Sequence, residues 1–241
     1  MNRLTTIILP MRRTRELGIM YKTERKSGIL LTMEAIDGAG KTTQVKLLKE
    51  YLENQFCEVI NCREPGGTEV GELVRNILLT KEMDGLTELM LFTASRIQLI
   101  KEVILPALNE GKIVILDRFI DSTYAYQGMG RGYIGEVMRL ENIVTDLVEP
   151  DHTFLLDLSL EEAEERLKAR TGQVSDRFDS MDLKFKQRLY DGFKLRAKSN
   201  RDRFVTISAT GTPEEVFDRI KSWCDLIIIP QYKLMKANHD S

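Results

Sequence analysis

Cysteine and histidine are scarce, with three and two residues in a chain of 241. Cys57, Cys62 and Cys224 show no CxxC spacing. Neither a disulfide framework nor a zinc site is expected from them, and a reducing, cytoplasmic setting fits better. An excess of either charge is also missing: 35 basic against 37 acidic side chains leave a formal net charge of -2. That balance gives no reason to expect nucleic acid or a membrane surface as the main partner. No apolar run approaches the roughly 20 residues that cross a bilayer, and "DLIII" near the C-terminus is too short. Internal repeats, low-complexity tracts and long linkers are absent too, so a single domain is expected over residues 28–230.

What is present is ordinary for a globular chain: 42% apolar and 30% charged residues, long enough for a proper core. Residues 1–27 stand apart, being basic, with a short apolar patch and no persistent helical stripe. A disordered arm, an organelle-targeting segment and sequence upstream of the true start compete there, with Met20 an alternative start. Two glutamates and little serine fit a transit peptide poorly, so the arm or the mis-set start is expected. Residues 231–241 read as a solvated tail.

Short apolar runs mark the strands: "GILLTMEAI" from Gly28, "CEVINC" from Cys57, "KIVILD" from Lys112, "HTFLLDL" from His152 and "RFVTIS" from Arg203. Helical spacing separates them. After the first strand, Val45, Leu47, Leu48, Tyr51 and Leu52 recur on one helical face, and further helices are expected from Glu69 to Leu79 and from Thr87 to about Leu108. Ser159 with Glu162, and Thr212 with Glu215 behind Pro213, are capping-box starts. Strands alternating with helices predict an α/β fold: a doubly wound, five-stranded parallel sheet with flanking helices, its ligands at the carboxyl ends of the strands.

The turn after the first strand carries the chemistry. Ala35-Ile36-Asp37-Gly38-Ala39-Gly40-Lys41-Thr42 matches G-x-x-x-x-G-K-[ST] except at its first position, where alanine is tolerable if φ stays negative. Backbone N–H groups around Gly38, Ala39, Gly40 and Lys41 can cradle phosphate, and the following helix, starting with Thr42 and Thr43, adds its positive end. Lys41 reaches the outer phosphates of a nucleotide and the Thr42 hydroxyl can sit on Mg²⁺. With a strand before it and a helix after it, the loop marks a P-loop nucleotide binder of the NTP-hydrolase fold type. It names no reaction.

Other strand ends add candidates. "ILDRF" places Asp117, a carboxylate suited to ordering Mg²⁺, beside Arg118, which can neutralise a moving phosphoryl group. "CREPGGT" bends away after the second strand and on composition alone is a plain loop. Phe92 and Arg96 lie four apart on a helix, so a ring and a guanidinium share one face and could receive a base, although a core Phe with a surface Arg is the commoner case. "DSTYAYQGMGRG" reads as a polar substrate wall on a helix turn followed by a flexible, glycine-rich loop. "RLKARTGQVSDRFDS" carries Arg170 and Arg177 into a Gly/Ser loop. That loop is either a lid over polyphosphate, about residues 170–181, or a solvated helix end.

In this order, "EAIDGAGKTTQ", "REPGGTEVGELVRNILL", "ASRIQLIKEVILPAL", "LDRFIDSTYAYQG" and "PDHTFLLDL" resemble the thymidylate kinase family. The resemblance covers nearly nine-tenths of the chain, from about Gly28 to the last helix. Its REPGGT and DR…STxAYQG elements set that family apart among nucleoside monophosphate kinases. It implies an enzyme that phosphorylates dTMP to dTDP with ATP and Mg²⁺, and a cytoplasmic homodimer pairing through helices, for which the apolar helix from Leu89 to Leu105 is suited. It implies that Asp37 lies near the dTMP phosphate and that Glu64 and Pro65 shape the monophosphate site. By the same resemblance Phe92 stacks on thymine, Arg96 donates to its carbonyl edge, and Arg118 bridges the phosphates of the two nucleotides. Ser122 or Thr123, with Gln127, contact pyrimidine and sugar, and Tyr126 crowds the sugar 2′ position. Ala39 in the phosphate loop, with Arg170 and Arg177 in the lid, resembles the bacterial-type arrangement. Phe119 departs from the tyrosine common after DR. Two rivals stay open: a kinase for another monophosphate, and a nucleotide-dependent binding protein without acceptor turnover.

Overall fold

The structure is a computed structural model, and it describes residues 28–169, 178 and 181–239. The expectations for residues 1–27 and for Arg170 and Arg177 lie outside the described residues. Five strands form one parallel sheet: β1 (Ile29–Glu34), β2 (Val59–Arg63), β3 (Ile113–Asp117), β4 (His152–Asp157) and β5 (Phe204–Ser208). Their order across the sheet is β2-β3-β1-β4-β5. β1 is buried along its whole length because helices cover both faces of the sheet. Its side chains alternate between two cores. Ile29, Leu31 and Met33 pack with Leu48, Phe154 and Ile220 on one face, and Leu30 packs with Leu99, Ile104 and Leu116 on the other. Thr32 would be an unpaired polar group there, and its hydroxyl meets that of Thr153 on β4 at 2.7 Å.

The helices are α1 (Lys41–Asn54), α2 (Glu69–Thr80), α3 (Gly85–Leu99), α4 (Leu105–Asn109), α5 (Ile120–Thr123), α6 (Ile134–Leu147), α7 (Leu160–Ala169), α8 (Leu183–Ser199), α9 (Pro213–Trp223) and α10 (Ile229–His239). π-helical turns join α3 to α4, prolong α5 from Tyr124 to Gly130, and join α9 to α10. α3 begins at Gly85 because the Asp84 carboxylate accepts from Leu86 and Thr87 N–H, a cap that lies before the apolar stripe starts. Two expectations need correcting. The stretch through Gly128 and Gly130 is no flexible loop: it is helical and buried against α6 and α8, and a Cβ on Gly130 would sit 2.6 Å from the Phe185 ring. The terminal segment is no solvated tail: it continues in α10, where buried Tyr232 accepts a hydrogen bond from the Glu58 N–H at 3.0 Å. Near-helical periodicity was too weak there for its few anchoring residues to stand out.

The two capping boxes differ. Thr212 accepts from the Glu215 N–H at 3.3 Å, and the Glu215 carboxylate accepts from the Thr212 N–H at 2.9 Å, closing the box. Ser159 accepts from the Glu162 N–H at 3.2 Å, but the Glu162 carboxylate turns to the Ser159 hydroxyl at 3.5 Å, not to its backbone. Thr212→Ala is expected to lower the unfolding free energy by about 1 kcal/mol at an unchanged denaturant slope. A loss below a few tenths would show that α9 is held by packing alone.

Candidate active site

The parallel register decides what can meet. Met33 of β1 lies opposite Asp117 of β3, and Asp117 lies opposite Arg63 of β2, so three carboxyl ends finish together. The loop after β1 then turns through Gly38 and Gly40 at φ 89° and 85°, conformations that a side chain resists. A Cβ on Gly38 would also stand 2.5 Å from the Ala163 carbonyl oxygen of α7, so the loop leans on that helix. Among the described residues only Phe56 and Arg118 have positive φ without being glycine. Ala35 therefore meets the condition for an alanine at the first loop position. α1 starts at Lys41 directly behind Gly40, and its N-terminal N–H groups and dipole face the loop.

Four charged side chains interlock at the mouth of the loop. Lys41 Nζ lies 2.7 Å from one Asp117 oxygen, and the Thr42 hydroxyl donates to the other at 3.0 Å. Arg118 reaches back from β3 to pair with Asp37, and its Nη1 donates to the Ala35 carbonyl at 3.0 Å and to Ser122 at 3.1 Å. The Tyr126 hydroxyl donates to the second Asp37 oxygen at 2.6 Å, with the Arg118 guanidinium 5.1 Å from the Tyr126 ring centre. Burial opposes ionisation of Asp37 and of Asp117, but Arg118 and Lys41 outweigh it and hold both carboxyls below their ordinary range. Burial, then Arg118, push Lys41 below its ordinary value, against Asp117 and Asp37.

Behind this cluster lies Glu34, the last residue of β1. It accepts from the Phe119 N–H at 2.7 Å and from the Ser122 hydroxyl at 2.5 Å. It thereby pins the backbone directly after Arg118, whose φ of 71° needs support. Burial, with the nearby Asp121 charge, pushes its carboxyl up to about 8. The sequence signal was a lone carboxylate inside an apolar strand.

The cluster forms one end of a cavity of about 780 Å³. Asp37, Lys41, Thr42, Asp117 and Arg118 line it there, while Gly38, Ala39, Gly40 and Thr43 stay behind in the loop and first helical turn. Glu64, Pro65, Phe92, Arg96, Ser122, Thr123, Tyr126 and Gln127 line the same cavity. The structure thus brings together all described residues singled out for the acceptor, from β2, α3 and α5 with its π extension. Arg96 is less available than a surface fork would be. Its Nε donates to Glu64 at 2.7 Å, its Nη2 donates to the Phe119 carbonyl at 3.1 Å, and the guanidinium stands 5.3 Å from the Phe119 ring centre. Phe119 thus has a packing role here. Burial raises the Glu64 carboxyl against Arg96, and its Oε1 is a buried acceptor without a hydrogen bond. Arg63, the last residue of β2, pairs with Glu72 at 2.9 Å. Two contributors escaped notice in the sequence: Phe178, which lines the cavity 6.3 Å from the Phe92 ring, and the Glu88–Arg131 pair behind Gln127. Glu88 and Arg131 are 43 residues apart, and no local pattern links them.

A phosphate loop with a strand-end Asp-Arg pair at its mouth, facing a cavity that also holds a ring and a buried arginine, defines a P-loop phosphotransferase. Residues 33–220 match the family model described as thymidylate kinase. The thymidylate kinase of Exiguobacterium sibiricum is 42% identical over 194 residues, covering 79% of this chain and 91% of that relative. That of Caldanaerobacter subterraneus subsp. tengcongensis is 45% identical over 183 residues, covering 75% and 86%. The crystal structure of thymidylate kinase from Ehrlichia chaffeensis superposes with a TM-score of 0.68 at 36% identity, covering 81% of this chain and 98% of that one. The chain belongs to the thymidylate kinase family.

The raised Glu34 carboxyl has a thermodynamic consequence. It keeps its proton where the unfolded chain, near 4.5, has lost it, so its contribution to stability falls as pH rises from about 4.5 to about 8. Asp37 and Asp117, being depressed, act the other way and lose their contribution only as pH falls through their folded values. Glu34→Gln keeps the shape and removes the titration. Its Tm should fall less than the parent's between about pH 5 and pH 8, measured by thermal melts. An identical slope in both proteins would remove Glu34 from that dependence.

Proposed function

We propose that this chain transfers the γ-phosphoryl group of ATP to dTMP, giving ADP and dTDP. One observation carries the reading: Arg118 stands between the phosphate loop and the acceptor bay of a single cavity, tied to Asp37 of the loop and to Ser122 of the bay. An oxygen of the dTMP phosphate attacks the γ-phosphorus, and the bond to the β,γ-bridging oxygen breaks. Little covalent help is needed, so the protein's work is alignment and charge neutralisation. Lys41 meets the outer phosphates of ATP, Arg118 spans donor and acceptor phosphates, and Asp37 orients Arg118 toward the acceptor. Phe92 stacks on the thymine, Arg96 and Gln127 meet its polar edges, Glu64 and Pro65 close the bay near the monophosphate, and Tyr126 crowds the sugar 2′ position.

The Thr42 hydroxyl and the Asp117 carboxylate, 3.0 Å apart, suit Mg²⁺, which takes one or two protein oxygens and completes its shell with phosphate and water. Bound there, Mg²⁺ neutralises phosphate charge. Ala39 leaves the loop without an arginine, and we assign the further positive charge to Arg170 and Arg177, outside the described residues. A second copy of the chain is the partner we infer for the exposed apolar Val70, Leu73 and Met90 on α2 and α3. Leu89, Leu99, Ile100 and Ile104 serve the chain's own core. No helix of the described residues is long and apolar enough to cross a membrane, and we place the enzyme in the cytoplasm.

ADP formation from ATP and Mg²⁺ should depend on acceptor, with dTMP ahead of dUMP, dCMP, dGMP, AMP and UMP. Preference for another monophosphate would keep the kinase and discard the acceptor assignments. ATP binding without acceptor-dependent ADP would favour a nucleotide-dependent binding protein. Arg118→Ala should lower kcat by about 100-fold or more with little change in the KM for ATP. An unchanged kcat would take Arg118 out of the reaction.

A further inference from the structure

Gln127 does not act alone. Its Nε2 donates to Glu88 Oε1 at 2.8 Å, and that carboxylate is gripped by Arg131, Nε to Oε1 at 2.7 Å and Nη2 to Oε2 at 2.8 Å. Glu88 is 0% exposed and Gln127 is 1% exposed. A carboxylate held by a guanidinium presents only acceptors, so the Gln127 amide must turn its nitrogen toward Glu88. The reversed amide would set oxygen against oxygen in a buried site, which is costly. The carbonyl oxygen of Gln127 is left for the cavity that this residue lines.

We propose that Glu88, clamped by Arg131, is a positioning residue that holds the Gln127 carbonyl toward the base and so selects pyrimidines bearing an N3–H. The inference rests on the acceptor reading above. Thymine and uracil carry a proton at N3 and can donate to that carbonyl. Cytosine carries a lone pair at N3 and meets it acceptor to acceptor. A site that leaves polar groups opposed discriminates far more strongly than one that merely lacks a methyl contact. Specificity against dCMP is thereby set by two residues that need not touch the nucleotide.

The variant-free arm compares dUMP with dCMP on the wild-type protein, because neither has the methyl group. kcat/KM for dUMP should exceed that for dCMP by about tenfold or more. Equal values would overturn the proposal. In Glu88→Gln/Arg131→Met the facing amides can flip together, so the dUMP-to-dCMP ratio should fall by about tenfold while the KM for ATP is kept. Glu88→Gln alone, with Arg131 still anchoring, should show a smaller fall. Placed on a Gln127→Leu background, the paired change should leave the ratio unaltered, which a general loosening of the fold would not do. An unchanged ratio in a folded E88Q/R131M protein overturns the inference and leaves the kinase reading intact. A wild-type preference for purine monophosphates overturns both.

Discussion

The ion pair between Arg118 and Asp37 links two strand ends that the sequence separates by 81 positions. β3 can deliver Arg118 only because it is the sheet neighbour of β1, in a register that sets Asp117 against Met33. Once there, Arg118 is committed on all sides: to the loop through Asp37 and the Ala35 carbonyl, and to the acceptor bay through Ser122 and the Tyr126 ring. Its left-handed backbone is unfavourable for a side chain of that size, and Glu34 holds the Phe119 N–H and the Ser122 hydroxyl that follow it. Lys41, Asp37, Asp117 and Arg118 thus hold one another in place, the fixed arrangement that electrostatic stabilisation of a moving phosphoryl group needs.

The same constraints decide which features are legible in the sequence. The five strands are short, apolar and separated by helices, so pattern alone marks them, and parallel pairing follows from the alternation. The phosphate loop is contiguous, with its chemistry and spacing written in adjacent residues. Most of the acceptor bay also lies within single motifs, REPGGT, the Phe92–Arg96 turn and DSTYAYQG, and these motifs come together because strand ends and helix starts converge at one sheet edge. Resemblance supplied their roles, which the residue types alone would have left open.

What the sequence hid is long-range or depends on context. Glu88 on α3 and Arg131 just beyond the π-helical turn are unremarkable alone and acquire meaning only as a pair behind Gln127. Arg96 reads as a donor to a base, yet two of its nitrogens are engaged inside the protein, with Glu64 and the Phe119 carbonyl. The glycines near Gly130 suggested mobility. Gly130 serves instead to admit the Phe185 ring against a helix, a close approach that composition cannot distinguish from looseness. The final helix is anchored by Tyr232 and not by a regular apolar stripe, so periodicity does not mark it.

Tyr126 gives the site a coupling that a list of contacts conceals. Its hydroxyl bonds Asp37, and its ring lies beside the guanidinium that Asp37 orients. A sugar that pushes the ring aside therefore disturbs the Asp37–Arg118 geometry as well as its own seat. Misplaced charge at the moment of transfer is felt in the transition state more than in the bound state. On the proposed role of Tyr126 beside the sugar 2′ position, ribose would be rejected after it has bound, as slow turnover and not as weak affinity.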